Sequence, residues 1–237
     1  MKKLIVVAND LEGSGKSTLA RALNKHLTDQ EIRTLLVTSD ERDVDESFPG
    51  DYWDFDDELE LSQLIHALDR HDAVILDVQS GMARVWADFC AEEELDTLLG
   101  EMDVEMSVVI PVNSSERSNE EMADIADLFA DQADYVVAHM PMEPQRSKEI
   151  QWKGSEAAKA VKYLGAFEIN VPQIETDLET ALGSAELTLP QALDRLTEVP
   201  RFLEVEACQW LEQVSGEVHT ADDYLVPEEV GTLVAAY

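Results

Sequence analysis

"LIVVANDLEGSGKSTLARALNKHL", residues Leu4 to Leu27, decides the fold. It opens as an apolar run of strand length, passes through GSGKST at Gly13, Ser14, Gly15, Lys16, Ser17 and Thr18, and continues as an amphipathic helix. A buried strand that turns on glycines into a helix is built to hold phosphate. Gly13 and Gly15 let backbone N–H groups turn inward, Lys16 brings a point charge to the β and γ positions, and the Ser17 hydroxyl can ligate Mg²⁺. The helix opening at Lys16 adds its positive dipole end. The usual first glycine of GxxxxGK[ST] is Asp10 here, and Leu11 and Glu12 stand just before the glycines.

Outward from this stretch, apolar runs of strand length alternate with helical segments. KLIVVA, RTLLVT, DAVILDV, VEMSVVIPV, DYVVAHM and AFEINV are mostly apolar on both faces, as a buried parallel sheet requires. Amphipathic segments lie between them, at Lys16 to Thr28, Asp57 to Arg70, Met82 to Leu99, Glu116 to Asp131 and Ser155 to Leu164. The alternation predicts an α/β fold, a mostly parallel doubly wound sheet of the P-loop type with C-terminal helices. Ligand then sits at the carboxyl ends of the strands.

From Gln173 onward the strand signal stops. LPQALDRLTEVPRFLEVEACQWLEQVSG predicts two helices, with Pro190 and Pro200 suited to first-turn positions. The expected organisation is one P-loop domain over residues 1–215, followed by a loosely held acidic tail over 216–237.

Fifty-one acids against 17 Lys and Arg give a formal charge of −34, a field that repels nucleic-acid backbones and anionic lipid. Direct nucleic-acid binding is therefore not expected, and neither is membrane association. A saline host or a basic protein partner would each accommodate such a charge, since salt shortens the screening length to about 3 Å at 1 M. No stretch reaches the roughly 20 apolar residues of a membrane span, and acids follow the first apolar run too soon for a signal peptide. The expected location is the cytoplasm. Cys90 and Cys208 are too few for a disulfide scaffold, and His26, His66, His71, His139 and His219 show no metal-ligand spacing.

Three further positions complete the candidate site. Asp77 closes the strand AVILD, where a carboxylate reaches Mg²⁺ through water; Val78 follows it, so the Asp-Glu pair of many motor ATPases is missing. Gly81 lies four residues on, where its N–H could meet a γ-phosphate. Asp40 ends the strand LLVTSD and could orient an attacking water. It opens an acidic run to Glu60 that holds eleven acids and one base, Arg42.

The order LEGSGKST, VTSDER, ILDVQSG and VVIPVNSSERS resembles the ParA and MinD family of deviant Walker-A ATPases. The later part, VVAHMPMEP, NVPQI and LTLPQALDRL, is similar to the TraL-type proteins of conjugative plasmid systems, and the likeness spans Met1 to Leu196. The resemblance implies ATP and Mg²⁺ as cofactors. It implies a cradle at Gly13 to Thr18, a magnesium residue at Ser17, a water-activating acid at Asp40 and the family's DxPPG segment at Asp77 to Gly81. Leu11 replaces the signature lysine that crosses a nucleotide-sandwich dimer, Glu12 replaces the following glycine, and Thr38 replaces the first acid of the DxD segment. Glu12 within about 6 Å of triphosphate would be repelled by about 1 to 3 kcal/mol at an effective dielectric near 20. Pointing it to solvent avoids that cost.

The leading expectation is thus a slow nucleotide-dependent switch ATPase that acts through a protein partner, in plasmid partition, conjugation or cargo positioning. A small-molecule kinase is the alternative, with Arg146, Lys148, Lys153, Lys159 and Lys162 as the only basic cluster. A nonhydrolysing nucleotide-binding module is the third. The absence of an NKxD segment favours adenine over guanine.

Overall fold

The computed structural model describes residues 1–55, 59–113, 115–130, 132–141 and 155–228. Its strands are β1 (Lys2–Val7), β2 (Thr34–Thr38), β3 (Asp51–Tyr52), β4 (Ala73–Asp77), β5 (Val104–Val112), β6 (Asp134–His139) and β7 (Phe167–Asn170). All pair in parallel, in the order β3-β2-β4-β1-β5-β6-β7. The α/β fold expected from the sequence is therefore the fold observed.

Strand alternation sorts the core into two layers. Ile5 and Val7 of β1 face α1 (Lys16–Asp29), α7 (Thr176–Ala185), α8 (Leu189–Asp194) and α9 (Arg201–Val218). Leu4 and Val6 face the other way, onto α2 (Leu61–Arg70), α3 (Ala83–Glu92), α4 (Leu95–Glu101), α5 (Glu116–Phe129) and α6 (Glu156–Leu164). All four β1 side chains are fully buried, which explains the unbroken apolar run in the sequence.

The chain leaves β1 toward β2 on one side and leaves β4 toward β5 on the other. β4 and β1 are neighbours, so the connections diverge at their carboxyl ends and open a crevice there. Ser39 N donates to Asp77 O (3.1 Å) and Val78 N to Val7 O (3.1 Å), which fixes the three strand ends that floor this crevice.

Several elements differ from the sequence reading. The helix expected over Met82 to Leu99 breaks into α3 and α4 at Glu94, whose φ is 49°. Glu92, Glu93 and Glu94 place three acids at a helix C-terminus, the end that disfavours negative charge. The break lets Trp86 and Cys90 of α3 and Leu95 and Leu99 of α4 all be buried. The exposed two-residue β3 carries no apolar run and was not expected. Nor was α7, although it buries Leu178, Ala181 and Leu182 at helical spacing.

Pro190 lies in the first turn of α8, behind a Thr188–Gln191 capping box, whereas Pro200 is the N-cap of α9, just outside the helix. The loosely held tail expected after Gly216 does not begin there. Helix α9 runs to Val218, a 3-10 turn covers His219–Ala221, and α10 covers Asp222–Leu225. Val218, Ala221, Leu225 and Val226 are buried in the α1-side core, a hydrophobic anchor that the surrounding acids obscure in the sequence. Residues 229–237 of that tail lie outside the described residues. No helix among the described residues is long and apolar enough to cross a membrane.

Candidate functional site

The loop from β1 to α1 is shaped by its own side chains. Asn9 Nδ2 donates to Pro111 O (2.7 Å), and Asn9 Oδ1 accepts from Leu11 N (2.7 Å), a local turn that anchors the loop to β5. Gly13 and Gly15 have φ of 71° and 93°, left-handed values that glycine adopts without steric cost. A Cβ at Gly15 would also stand 2.5 Å from Met140 Cε.

Lys16 is 7% exposed. Its ammonium donates to Ser80 Oγ (2.8 Å), Leu11 O (3.3 Å) and Ser14 Oγ (3.5 Å). Burial lowers its pKa, and nearby Asp77, Asp10, Asp40 and Asp43 oppose that shift. The ammonium is thus held at the floor of a cavity of about 320 Å³ lined by Gly13 to Thr18, Asp40, Arg42, Asp77 and Ser80, among others.

Asp77 is the electrostatic centre of the floor. It is 2% exposed, and burial pushes its carboxyl up to about 6, against the hydrogen bond from Ser17 and the charge of Arg21. Its Oδ2 has no hydrogen-bond partner; Arg21 Nη1 is 3.9 Å away. Arg21 itself is committed elsewhere, with Nε donating to both oxygens of Asp194 at 2.8 Å and Nη1 to Ser17 O at 3.2 Å. Asp43 Oδ2, 3.8 Å from the same guanidinium, is also buried without a hydrogen bond. One guanidinium among three buried or half-buried carboxylates leaves negative charge unpaired, and buried charge of this kind is normally met by a cation. An all-oxygen donor set of Ser17 and Asp77 suits Mg²⁺, so the residues present fit that ion.

Asp40 lines the cavity but is held by Arg42. Arg42 N (3.0 Å) and Nε (2.9 Å) donate to Asp40 Oδ1, and Nη2 donates to Oδ2 (2.7 Å). The Arg42 hydrogen bond keeps the Asp40 carboxyl below its usual pKa. Arg42 also reaches Glu12 Oε1 at 3.3 Å, and Glu12 points to solvent, as the repulsion argument requires.

Asp10 and Gly81 differ from their sequence-based roles. Asp10 Oδ1 accepts from Gly81 N (2.9 Å) and Ala83 N (3.3 Å), tying the first loop to the start of α3. The Gly81 N–H expected to meet phosphate is thereby engaged, and Ser80 rather than Gly81 lines the cavity. Ser80 and Asp43 lie within segments the sequence singled out, Asp77 to Gly81 and the acidic run after Asp40, but were not themselves assigned; Arg21 and Asp194 carry no motif and are 173 positions apart. Of the basic cluster, Arg146, Lys148 and Lys153 lie outside the described residues; Lys159 pairs with Glu156 at 2.5 Å, and neither it nor Lys162 lines the cavity.

Arg42 is the exposed cation at a mouth that also holds Glu12, Asp40 and Asp43. Arg42→Ala is expected to weaken binding of a phosphate ligand a few-fold at low salt, with the loss shrinking as salt rises, because an exposed charge is screened. Calorimetric titrations at two ionic strengths check this; a loss independent of salt would contradict it.

A parallel doubly wound sheet with a glycine turn and a buried lysine at the end of β1 defines an α/β fold of the P-loop type. No family model matches the chain, and no curated protein matches it. Among solved structures it is similar to the MinD cell division protein of Aquifex aeolicus (16% identity, 91% of this chain and 97% of that chain, TM-score 0.47). It is also similar to the Aquifex aeolicus MinC:MinD cell division protein complex (14%, 89% and 96%, TM-score 0.48). A third likeness is to a Borrelia burgdorferi B31 protein described as a candidate plasmid partition protein, bound to AMPPNP (13%, 90% and 98%, TM-score 0.49).

Proposed function

We propose that the chain is an ATP- and Mg²⁺-dependent switch protein of the ParA/MinD kind, hydrolysing slowly and acting through a protein partner. The observation that carries the reading is the pairing, across one cavity, of a buried lysine on a left-handed glycine turn with a buried carboxylate oxygen that accepts no hydrogen bond. Lys16 and the N–H groups of the loop would hold the β and γ phosphates. Ser17 and Asp77 would hold Mg²⁺, which neutralises phosphate charge when bound.

Slow turnover follows from Arg42. Asp40 is ionised and lines the cavity, but its oxygens are taken by the Arg42 guanidinium, so it orients water only when Arg42 lets go. A movement of the segment after β2 would couple that release to the surface a partner touches. Leu11 offers no cation to a second nucleotide, which supports a switch that does not depend on a nucleotide-sandwich dimer. The conjugation or plasmid-partition setting rests on the motif resemblance alone.

Asp40→Ala tests the assignment. ATP affinity should stay within a few-fold of the parent, while the single-turnover rate drops by about 10-fold or more, as expected when a group acting on the attacking water is lost. Rapid-quench measurement of ADP from bound ATP reads this directly. An unchanged rate would leave Asp40 with only its cap of the Glu41–Asp43 turn.

A further inference from the structure

At the far end of α1, about 15 Å along the helix from Lys16, a second polar cluster joins elements that are distant in sequence. His26 lies in the last turn of α1, His219 caps α9, and Asp222 opens α10. Asp222 Oδ1 is 2.9 Å from His26 Nε2, and Asp222 Oδ2 is 2.6 Å from His219 Nδ1. His26 Nδ1 is 2.7 Å from Ser215 Oγ. One ligand atom from each of His26, His219 and Asp222 can be chosen so that all three lie within 4.8 Å of one another.

We infer that His26 Nε2, His219 Nδ1 and a carboxylate oxygen of Asp222 form a binding site for a first-row divalent cation of the Zn²⁺ class. The spacing is close to what the ion needs: bonds of about 2.0 to 2.1 Å in a tetrahedron set ligand atoms about 3.3 Å apart. Asp222 already bridges the two imidazoles at slightly less than that, and a small opening admits the ion. Two imidazoles and one carboxylate suit Zn²⁺ rather than Mg²⁺ or Ca²⁺, which prefer oxygen.

Three features of the surroundings support a cation here. Ser215 can accept the Nδ1 proton of His26, which fixes the tautomer whose Nε2 lone pair faces the site. That Nε2 also lies 2.7 Å from the Gln30 amide nitrogen. One ring nitrogen, carrying either a proton or a lone pair, satisfies Asp222 or the Gln30 amine but not both. A cation shared by Nε2 and Asp222 resolves the conflict, with the Gln30 amide turned by half to offer its oxygen. Finally, the C-terminal ends of α1 and α9 converge at the cluster, and both favour positive charge.

His26 is buried and His219 is 74% exposed, so the site opens to solvent on one side and leaves a fourth position for water. The bound ion would staple the segment after α9 to the helix that carries the phosphate loop. The histidines are 193 positions apart, so their ligand geometry was invisible to spacing, and no metal site was expected from them.

The test uses the metal-stripped full chain without nucleotide, titrated with Zn²⁺ by calorimetry and with Co²⁺ by visible absorption. One equivalent should bind, with the strong absorption of tetrahedral Co²⁺. His219→Ala, at an exposed position that the fold does not need, should weaken Zn²⁺ binding by about 100-fold or more, and Ser215→Ala by about tenfold. Circular dichroism checks that both variants fold. Absence of saturable Zn²⁺ binding in the parent overturns the proposal. So does unchanged affinity in His219→Ala, the result expected if Cys90, Cys208 or the phosphate-loop carboxylates hold the ion instead.

Discussion

Lys16→Ala lowers ATP affinity by about 100-fold or more and leaves the protein folded. The expectation rests on what the ammonium touches. Its partners are Ser80 Oγ, Ser14 Oγ and Leu11 O, neutral acceptors that solvent can serve once the lysine is gone. Lys16 is held in the cavity against a desolvation cost, as its lowered pKa records, so the charge is placed ahead of any ligand. Hydrogen bonds to charged groups contribute about 1.5 to 3 kcal/mol each, and the lysine would offer more than one to the phosphates. Its loss also removes the lysine charge that offsets Asp77, Asp10, Asp40 and Asp43 around the ligand. Calorimetry with Mg·ATP, paired with a thermal melt, reads both halves of the expectation. Parent-like affinity in a folded variant would remove the phosphate-loop reading altogether.

That reading began with residues Leu4 to Leu27, where strand, turn and helix are continuous in the chain, so local pattern and site coincide. The same holds for Asp77 and Asp40, because a strand end is visible from its apolar run and the carboxyl edge of a parallel sheet is where ligands collect. What the sequence hid is whatever depends on two distant segments meeting. Asp10 looked like a defect in a glycine pattern; its carboxylate in fact holds the backbone of Gly81 and Ala83, 71 and 73 positions away. Arg21, inside the amphipathic segment Lys16 to Thr28, carries no signal of its own, yet it is 5% exposed and carries α8 on its guanidinium through Asp194. The final helices were misjudged for a related reason. Five acids and no Lys or Arg follow Gly216, which points to a loose charged tail, while Val218, Ala221, Leu225 and Val226 are enough to fasten the segment to the core.

Asp77→Asn should stabilise the protein in the absence of ligand and spoil its use of Mg²⁺. The carboxyl has a pKa of about 6 in the folded protein against an ordinary 3.8, so the folded state holds its proton more tightly than the unfolded chain. Stability is therefore lost as pH rises from about 4 through about 6, and the penalty is complete above that range. Two pKa units correspond to about 3 kcal/mol. The neighbouring Arg21 stays paired with Asp194 in the variant, and reorganisation will absorb part of the gain, so about 1 to 3 kcal/mol is the expected benefit at pH 8. For a chain of this length that is a melting-temperature rise of roughly 3 to 10 °C. At pH 4, where the parent carboxyl is already protonated, parent and variant should melt together. Asp88→Asn, at an exposed position, controls for the general relief of removing one charge from a chain at −34. In the same variant the difference in ATP affinity between Mg²⁺ and chelator should collapse, because the amide cannot offer the anionic oxygen that the ion needs. A variant less stable than the parent at pH 8 would mean that Arg21 already neutralises Asp77 as an ordinary structural pair. The uncompensated charge on which the proposed metal role of Asp77 rests would then not exist.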